Sequence, residues 1–174
     1  EGKPLFAVWN GVDVEYADEI EHDGVTYKPI DGADLKEGAV LLPERAEEYG
    51  GERELIDAIK QHIHRYCDVS ESFETFSAFY ILLTWLYDRV NTLPYLRVLG
   101  DTGCGKSRFL DVVGRLCYKA TICSGAITPA PIYRMIRKWG GTIILDEADL
   151  RNSDEKNEVV TILNCGFERG RPVI

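Results

Sequence analysis

The sequence lacks the features that mark membrane, secreted and disulfide-stabilised proteins. Its longest apolar run, residues 76–87, is too short to span a bilayer and is typical of a buried helix, so no membrane partner is expected. Its five cysteines contain no C-x-x-C pair and are scattered along the chain, which argues against a disulfide framework. Scattered thiols instead predict a reducing, cytoplasmic location.

The sequence also lacks the excess of basic residues that is typical of nucleic-acid-binding proteins. The net charge is −9, and all of it lies in residues 1–50, because the rest of the chain holds equal numbers of acidic and basic side chains. Such an acidic segment is not expected to bind a phosphate backbone. Residues 133–139 form the densest basic cluster and contain aromatic side chains, which is a weak signal for nucleic-acid binding. The alternative interpretation is a solvated helix face. DNA therefore stays an open partner.

Histidine is scarce, and the only grouping that suggests a metal site is His62, His64 and Cys67. These residues fall in or next to an amphipathic helix predicted over residues 52–66. Side chains two positions apart on a helix point in different directions, so His62 and His64 do not readily share an ion. The pattern favours a plain amphipathic helix over a metal site.

The sequence does contain a phosphate-binding motif. Residues 100–107 read GDTGCGKS and fit the pattern G-x-x-x-x-G-K-[ST] at every fixed position. In this pattern the glycines let backbone N–H groups point at phosphate oxygens, and the next helix offers its positive end to the same charge. We expect Lys106 to reach the β- and γ-phosphates and Ser107 to hold Mg²⁺. The predicted nucleotide-binding residues are Gly100, Asp101, Thr102, Gly103, Cys104, Gly105, Lys106, Ser107 and Arg108.

The flanks of this motif have the periodicity that a phosphate-binding loop requires. Residues 94–99 form a short apolar run that predicts a buried strand ending at the loop. Residues 107–118 carry apolar side chains at helical spacing. Strand, glycine loop and helix therefore follow one another in the expected order.

A second motif, residues 141–147, is a β-branched apolar strand that ends in two carboxylates. Asp146 is predicted to hold the Mg²⁺ shell together with Ser107. Glu147 is placed to orient and deprotonate an attacking water, which makes Glu147 and Lys106 the predicted catalytic residues. The two motifs together predict ATP and Mg²⁺ as the ligands.

The carboxylate at Glu147 bears on the class of enzyme. A P-loop kinase transfers phosphate to a positioned substrate and needs no water-activating residue there, so Glu147 favours hydrolysis. Residues 146–149 also spell DEAD, the signature of one RNA-helicase group. Lys106 and Asp146 are only 40 residues apart, whereas DEAD-type helicases have a much longer insertion there, so we discount that group.

The order of patterns predicts three segments. Residues 1–50 form an acidic β-hairpin module with turns at 10–11 and 22–24, and residues 51–91 a helical extension whose second helix is capped by Ser72 and runs to about Val90. Residues 92–174 form a P-loop core, with further strands at 120–124 and from Arg171. Its helices are expected over about 129–138 and 154–167, and this alternation predicts a parallel α/β sheet.

Residues 96–120, 127–150 and 161–170 resemble the AAA+ ATPase core of helicase-like and primase-associated proteins of phages and mobile elements. The resemblance implies an α/β P-loop NTPase fold with a three-layer parallel sheet, in the strand order 5-1-4-3-2, here preceded by the β-hairpin and helical extension. AAA+ proteins follow their fourth strand with a sensor residue, a fifth strand and a helical lid. The sequence ends at Ile174, so we expect the core within it to be C-terminally incomplete.

The same resemblance implies how the site works. Lys106 and Ser107 bind phosphate and metal, Asp146 supports the metal, and Glu147 is the catalytic base. AAA+ ATPases act as homo-oligomeric rings in which an arginine of a neighbouring copy completes each site. The candidates for this arginine are Arg151, Arg169 and Arg171.

Two functions remain open at this point. The first is Mg²⁺-dependent ATP binding and hydrolysis by an AAA+ module, the motor of a DNA helicase or replication-type protein. The alternative is a nucleotide-binding switch or assembly scaffold with little turnover.

Overall fold

The chain divides into two compact units at the boundary between Glu48 and Tyr49. The structure is a computed structural model, and it describes residues 3–124, 128–146 and 154–169. None of the helices in these ranges is long and apolar enough to cross a membrane.

The first unit is built from two β-hairpins and a short helix. Strands β1 (Phe6–Trp9) and β2 (Val14–Ala17) pair antiparallel, as do β3 (Ile20–His22) and β4 (Val25–Tyr27), and helix α1 spans Ala33–Lys36. Both predicted turns therefore connect paired strands. In the first turn the Asn10 side-chain oxygen accepts hydrogen bonds from the N–H groups of Val12 and Asp13, each at 2.9 Å, which stabilises the reversal locally.

The second unit opens with two helices, α2 (Glu52–Tyr66) and α3 (Glu71–Trp85). The bounds of α2 agree with the prediction, whereas two predicted details of α3 are wrong. The N-cap is Ser70 and not Ser72, because the Ser70 hydroxyl oxygen accepts the Phe73 N–H at 3.4 Å. The helix ends at Trp85 and not near Val90, and a 3₁₀ turn over Tyr87–Arg89 follows it.

The rest of the second unit alternates helix and strand. Helix α4 (Lys106–Gly114) is followed by β5 (Thr121–Ser124), α5 (Pro129–Trp139), β6 (Ile143–Asp146) and α6 (Asp154–Gly166). Strands β5 and β6 pair in parallel, from Thr121 opposite Ile143 to Ser124 opposite Asp146, and α5 is the crossover between them. Helix α4 is shorter than the predicted 107–118, since it ends at Gly114.

One hydrophobic core joins the helical extension to the helix that follows the phosphate loop. Ile63 of α2 and Ala78 of α3 are fully buried, and they belong to the same cluster as Phe109 and Val113 of α4. The Phe73 and Phe109 rings stack with their centroids 5.1 Å apart. This packing holds the turn between α2 and α3 against the start of α4.

Residues 94–99 do not form the predicted buried strand. Leu96 and Val98 pack against the core, but Tyr95 and Leu99 are 51% and 75% exposed, so the segment has the alternation of a strand. It has no partner strand within the described ranges, and without a neighbour the ladder hydrogen bonds do not form. The chain just before this segment instead forms an isolated bridge to the residues that follow α6, between Thr92 and Glu168.

The described residues are thus mixed α/β with one parallel strand pair. In the order 5-1-4-3-2, strands 2 and 3 are neighbours. Strands β5 and β6 take these two places in the sequence, and they are neighbours here. No three-layer sheet is present in the described part of the chain, and the strand expected from Arg171 lies outside it. The three-layer P-loop fold therefore stays a prediction.

Candidate nucleotide-binding site

Residues 100–105 form a tight loop that leads into α4. Gly103 and Gly105 have φ angles of +83° and +89°, a region that side-chain-bearing residues rarely adopt, and Gly105 is the N-cap of α4. At Gly100 an added Cβ would come within 2.5 Å of the Cys104 sulfur. The motif glycines are therefore required by the backbone path and by close packing inside the loop.

The Lys106 side chain folds back over this loop. Its ammonium group donates hydrogen bonds to the carbonyl oxygens of Gly100 and Asp101, at 2.8 and 2.6 Å, and lies 3.8 Å from the Cys104 sulfur. These carbonyls are neutral acceptors, whereas phosphate oxygens carry negative charge and attract the ammonium group by Coulomb interaction as well. A bound triphosphate can therefore replace the loop carbonyls as the hydrogen-bond acceptor of the Lys106 ammonium group.

Ser107 and Asp146 bring the two motifs together. The Ser107 hydroxyl donates to the Asp146 Oδ1 at 3.1 Å, although the residues are 39 positions apart in sequence. Mg²⁺ binds oxygen at about 2.0–2.1 Å in an octahedron, where neighbouring ligand oxygens lie roughly 2.9 Å apart. The observed separation and the all-oxygen donor set fit a shared Mg²⁺ shell.

This meeting depends on the close approach of α4 to β6. Gly114 closes α4, and a Cβ built on it would lie 2.7 Å from Cγ1 of Ile144, the buried residue at the centre of β6. The helix and the strand can approach this closely only because Gly114 has no side chain.

Gly114→Ala should therefore lower the free energy of unfolding by about 1–3 kcal/mol, because the added methyl group overpacks the contact with Ile144. Helix propensity alone predicts the opposite, a gain of about 0.5–1 kcal/mol. Urea unfolding followed by circular dichroism distinguishes the two, and a more stable variant would show that α4 and β6 are not in close contact.

A cleft of about 710 Å³ lies beside the loop, within the range of small-ligand sites. One wall is the turn between α2 and α3, and the other walls are residues 97–99 and the loop with the first turn of α4. Its charged lining residues are Asp68, Arg97, Lys106 and Arg108. Three cations against one carboxylate suit a polyanionic ligand.

The pKa of the Cys67 thiol, which lies in this wall, depends on burial and on a nearby charge. Burial raises the pKa of Cys67, and the nearby Arg108 guanidinium opposes that rise. The positive charge of Arg108 therefore acts on the wall of the cleft, next to the phosphate loop.

The other predicted site residues have different outcomes. Glu147, the predicted base, lies outside the described residues, as do Arg151 and Arg171. Arg169 donates from Nη1 to the Asp88 carbonyl at 3.1 Å, so it has a partner within its own chain. Residues Asp101 and Thr102 lie exposed in the loop, and Cys104 contacts Lys106 from within it.

Sequence reasoning missed the wall formed by the turn between α2 and α3. Tyr66, Asp68 and Val69 line the cleft, yet they lie more than 30 positions before the loop. No local pattern marks them, because they reach the site only through the packing of α2 and α3 on α4.

The histidine-rich part of α2 makes separate contacts. His64 Nδ1 hydrogen-bonds the buried Glu74 carboxylate at 2.8 Å, and the His62 ring packs against Tyr66 with centroids 5.1 Å apart. Within the residues that the structure describes, no group of three or more His, Cys, Asp or Glu side chains is arranged to hold a metal.

Comparison with known proteins gives no match to a protein family, to a curated protein or to a solved structure. The resemblance to AAA+ ATPases therefore stays a prediction that rests on the two motifs and on the segments around them.

Proposed function

We propose that this chain contains a Mg²⁺-dependent ATP-binding and ATP-hydrolysing module of the AAA+ type, acting as the motor of a DNA helicase or replication-type protein. The observation that supports the proposal is the hydrogen bond from Ser107 to Asp146. It joins a complete phosphate-loop motif to the carboxylate strand that such a site needs.

In this proposal the loop binds the triphosphate. Backbone N–H groups of the loop and of the first turn of α4 face the phosphate oxygens, and Lys106 donates to them in place of the Gly100 and Asp101 carbonyls. Ser107 and Asp146 hold Mg²⁺, which when bound supplies positive charge to the β- and γ-phosphate oxygens. The cleft lined by Tyr66 and Asp68 receives the nucleoside.

Hydrolysis is assigned to Glu147 because it directly follows Asp146 at the end of β6. Its carboxylate accepts a proton from the attacking water as the water oxygen bonds to the γ-phosphorus. The bond between that phosphorus and the bridging oxygen breaks, which releases ADP and phosphate. Ring assembly, with an arginine donated by a neighbouring copy, completes the site in this proposal.

Ser107→Ala tests the metal arrangement. We expect the variant to bind Mg·ATP about 10- to 100-fold more weakly by calorimetry, because one oxygen of the shell is lost. ATP without Mg²⁺ should bind both proteins equally. The matched control is Ser72→Ala, which removes an exposed hydroxyl on α3 and should bind as the parent does.

An equal loss of affinity with and without Mg²⁺ would count against a metal role for Ser107. A parent chain that gives no heat with Mg·ATP or with a non-hydrolysable analogue would overturn the proposed function as a whole.

A further inference from the structure

A long stretch of this acidic chain contains no acidic residue. Residues 112–145 have no Asp or Glu, although the chain has 29 of them, and the stretch holds five cationic residues. These are Arg115, Lys119, Arg134, Arg137 and Lys138. Arg115 is paired with Asp111, with 2.7 Å between Nε and Oδ1, so its charge is compensated locally. The positive charge is therefore concentrated on α5 and at Lys119.

On α5 the charged residues share one face. Tyr133, Arg134, Arg137 and Lys138 follow helical spacing and are all exposed, with Tyr133 41% exposed. The opposite face buries Ile132 and Trp139. Arg134 and Arg137 make no ion pair with any side chain that the structure describes.

Lys119 extends this surface. Its ammonium donates to the Trp139 carbonyl at 3.3 Å, at the C-terminal end of α5. The backbone next to Lys119 is fixed by a hydrogen bond, which the Thr142 N–H donates to the Tyr118 carbonyl at 2.9 Å. We call the surface formed by the half-buried Lys119 and the exposed Tyr133, Arg134, Arg137 and Lys138 the basic face.

The basic face is separate from the phosphate loop. Helix α5 runs from the carboxyl end of β5 to the amino end of β6. Arg137 and Lys138 therefore lie near the amino ends of the two strands, whereas Asp146 lies at the carboxyl end of β6. The cations of this surface therefore do not serve the triphosphate site.

We propose that the basic face binds single-stranded nucleic acid. The cations contact the phosphate backbone, and the Tyr133 ring stacks on a base. Arg134 and Lys138 are about 6 Å apart along the helix axis, so one helical turn can reach neighbouring phosphates. An aromatic side chain among arginines is the combination that binds single strands without sequence preference. This inference does not depend on ATP binding.

The test is fluorescence anisotropy of a labelled 20-nucleotide oligo-dT, with the full chain at about 50 mM salt and rising. The triple variant R134A/R137A/K138A should bind at least tenfold more weakly. The slope of log affinity against log salt should fall by roughly two, because three phosphate contacts are lost at about 0.7 each. The control R53A/R65A/R89A removes the same charge from elsewhere in the second unit and should bind as the parent does.

Tyr133→Ala provides a second readout that does not change the charge. It should weaken binding several-fold and leave the salt slope unchanged, because it removes stacking alone. Circular dichroism and thermal melting of each variant establish that all of them fold.

Three outcomes would overturn the proposal. In the first, the parent chain does not bind oligo-dT at low salt. In the second, the control triple variant weakens binding as much as the α5 variant. In the third, a polyglutamate peptide of equal charge binds the parent chain as tightly as oligo-dT does, and the α5 triple variant loses this binding too. That result would assign the basic face to an acidic protein partner.

Discussion

Lys106→Ala is expected to weaken the binding of Mg·ATP at least a hundredfold, which is about 2.7 kcal/mol. The ammonium lies over the loop, where it donates hydrogen bonds to the Gly100 and Asp101 carbonyls. Its loss removes charge-assisted hydrogen bonds to the phosphates, each contributing roughly 1.5–3 kcal/mol. Calorimetry with a non-hydrolysable ATP analogue measures the effect directly.

The matched control is Lys60→Ala, because the Lys60 ammonium lies on α2 and pairs with Glu71 at 3.5 Å. It should leave nucleotide affinity unchanged. Saturating Mg·ATP should raise the thermal midpoint of the parent and of this control but not that of Lys106→Ala, since only a bound ligand stabilises the folded state. If Lys106→Ala binds within threefold of the parent, the loop is not the phosphate site.

Glu147→Gln should lower the rate of ATP hydrolysis at least a hundredfold while ATP affinity stays within about threefold. The amide keeps the size of the side chain but cannot accept the proton of the attacking water, and general-base catalysis contributes about 10²–10⁴-fold. Steady-state phosphate release and calorimetry on the same preparations measure the two quantities. The control is Glu71→Gln, the same exchange at a carboxylate that is 86% exposed on α3.

The same variant separates the two functions that the motifs allow. A motor loses its turnover with Glu147→Gln, whereas a nucleotide-binding switch has no comparable turnover to lose. The measurement is made with and without single- and double-stranded DNA, because a helicase motor is expected to hydrolyse ATP faster on its polynucleotide. Turnover that survives in Glu147→Gln would assign the base to another residue.

Local patterns predicted much of the secondary structure. The apolar periodicity of α2 and the turn residues at Asn10 and Gly11 act within a few positions of chain, so the sequence alone locates them. The sequence does not determine which serine caps α3, because Ser70 and Ser72 both precede the same apolar run. Only the backbone path shows that the Ser70 oxygen reaches the Phe73 N–H.

The segment 94–99 shows where such patterns fail. Its apolar run predicts a buried strand, but only Leu96 and Val98 pack against the core, while Tyr95 and Leu99 are exposed. A strand also requires hydrogen bonds to a neighbour, and these depend on residues far away in the sequence. The apolar run therefore indicates that the segment contacts the core, but it determines neither which of its side chains are buried nor whether a sheet forms.

The sequence alone predicts the chemistry of the candidate site. Lys106, Ser107 and Asp146 stand in motifs whose spacing is dictated by phosphate and metal chemistry, and that chemistry is local to each motif. The 3.1 Å approach of Ser107 to Asp146, and the wall that the turn between α2 and α3 adds to the cleft, follow from the folded chain and not from any local pattern. Both depend on packing, because burial of residues from α2, α3 and α4 in one core joins parts of the chain that are far apart in sequence.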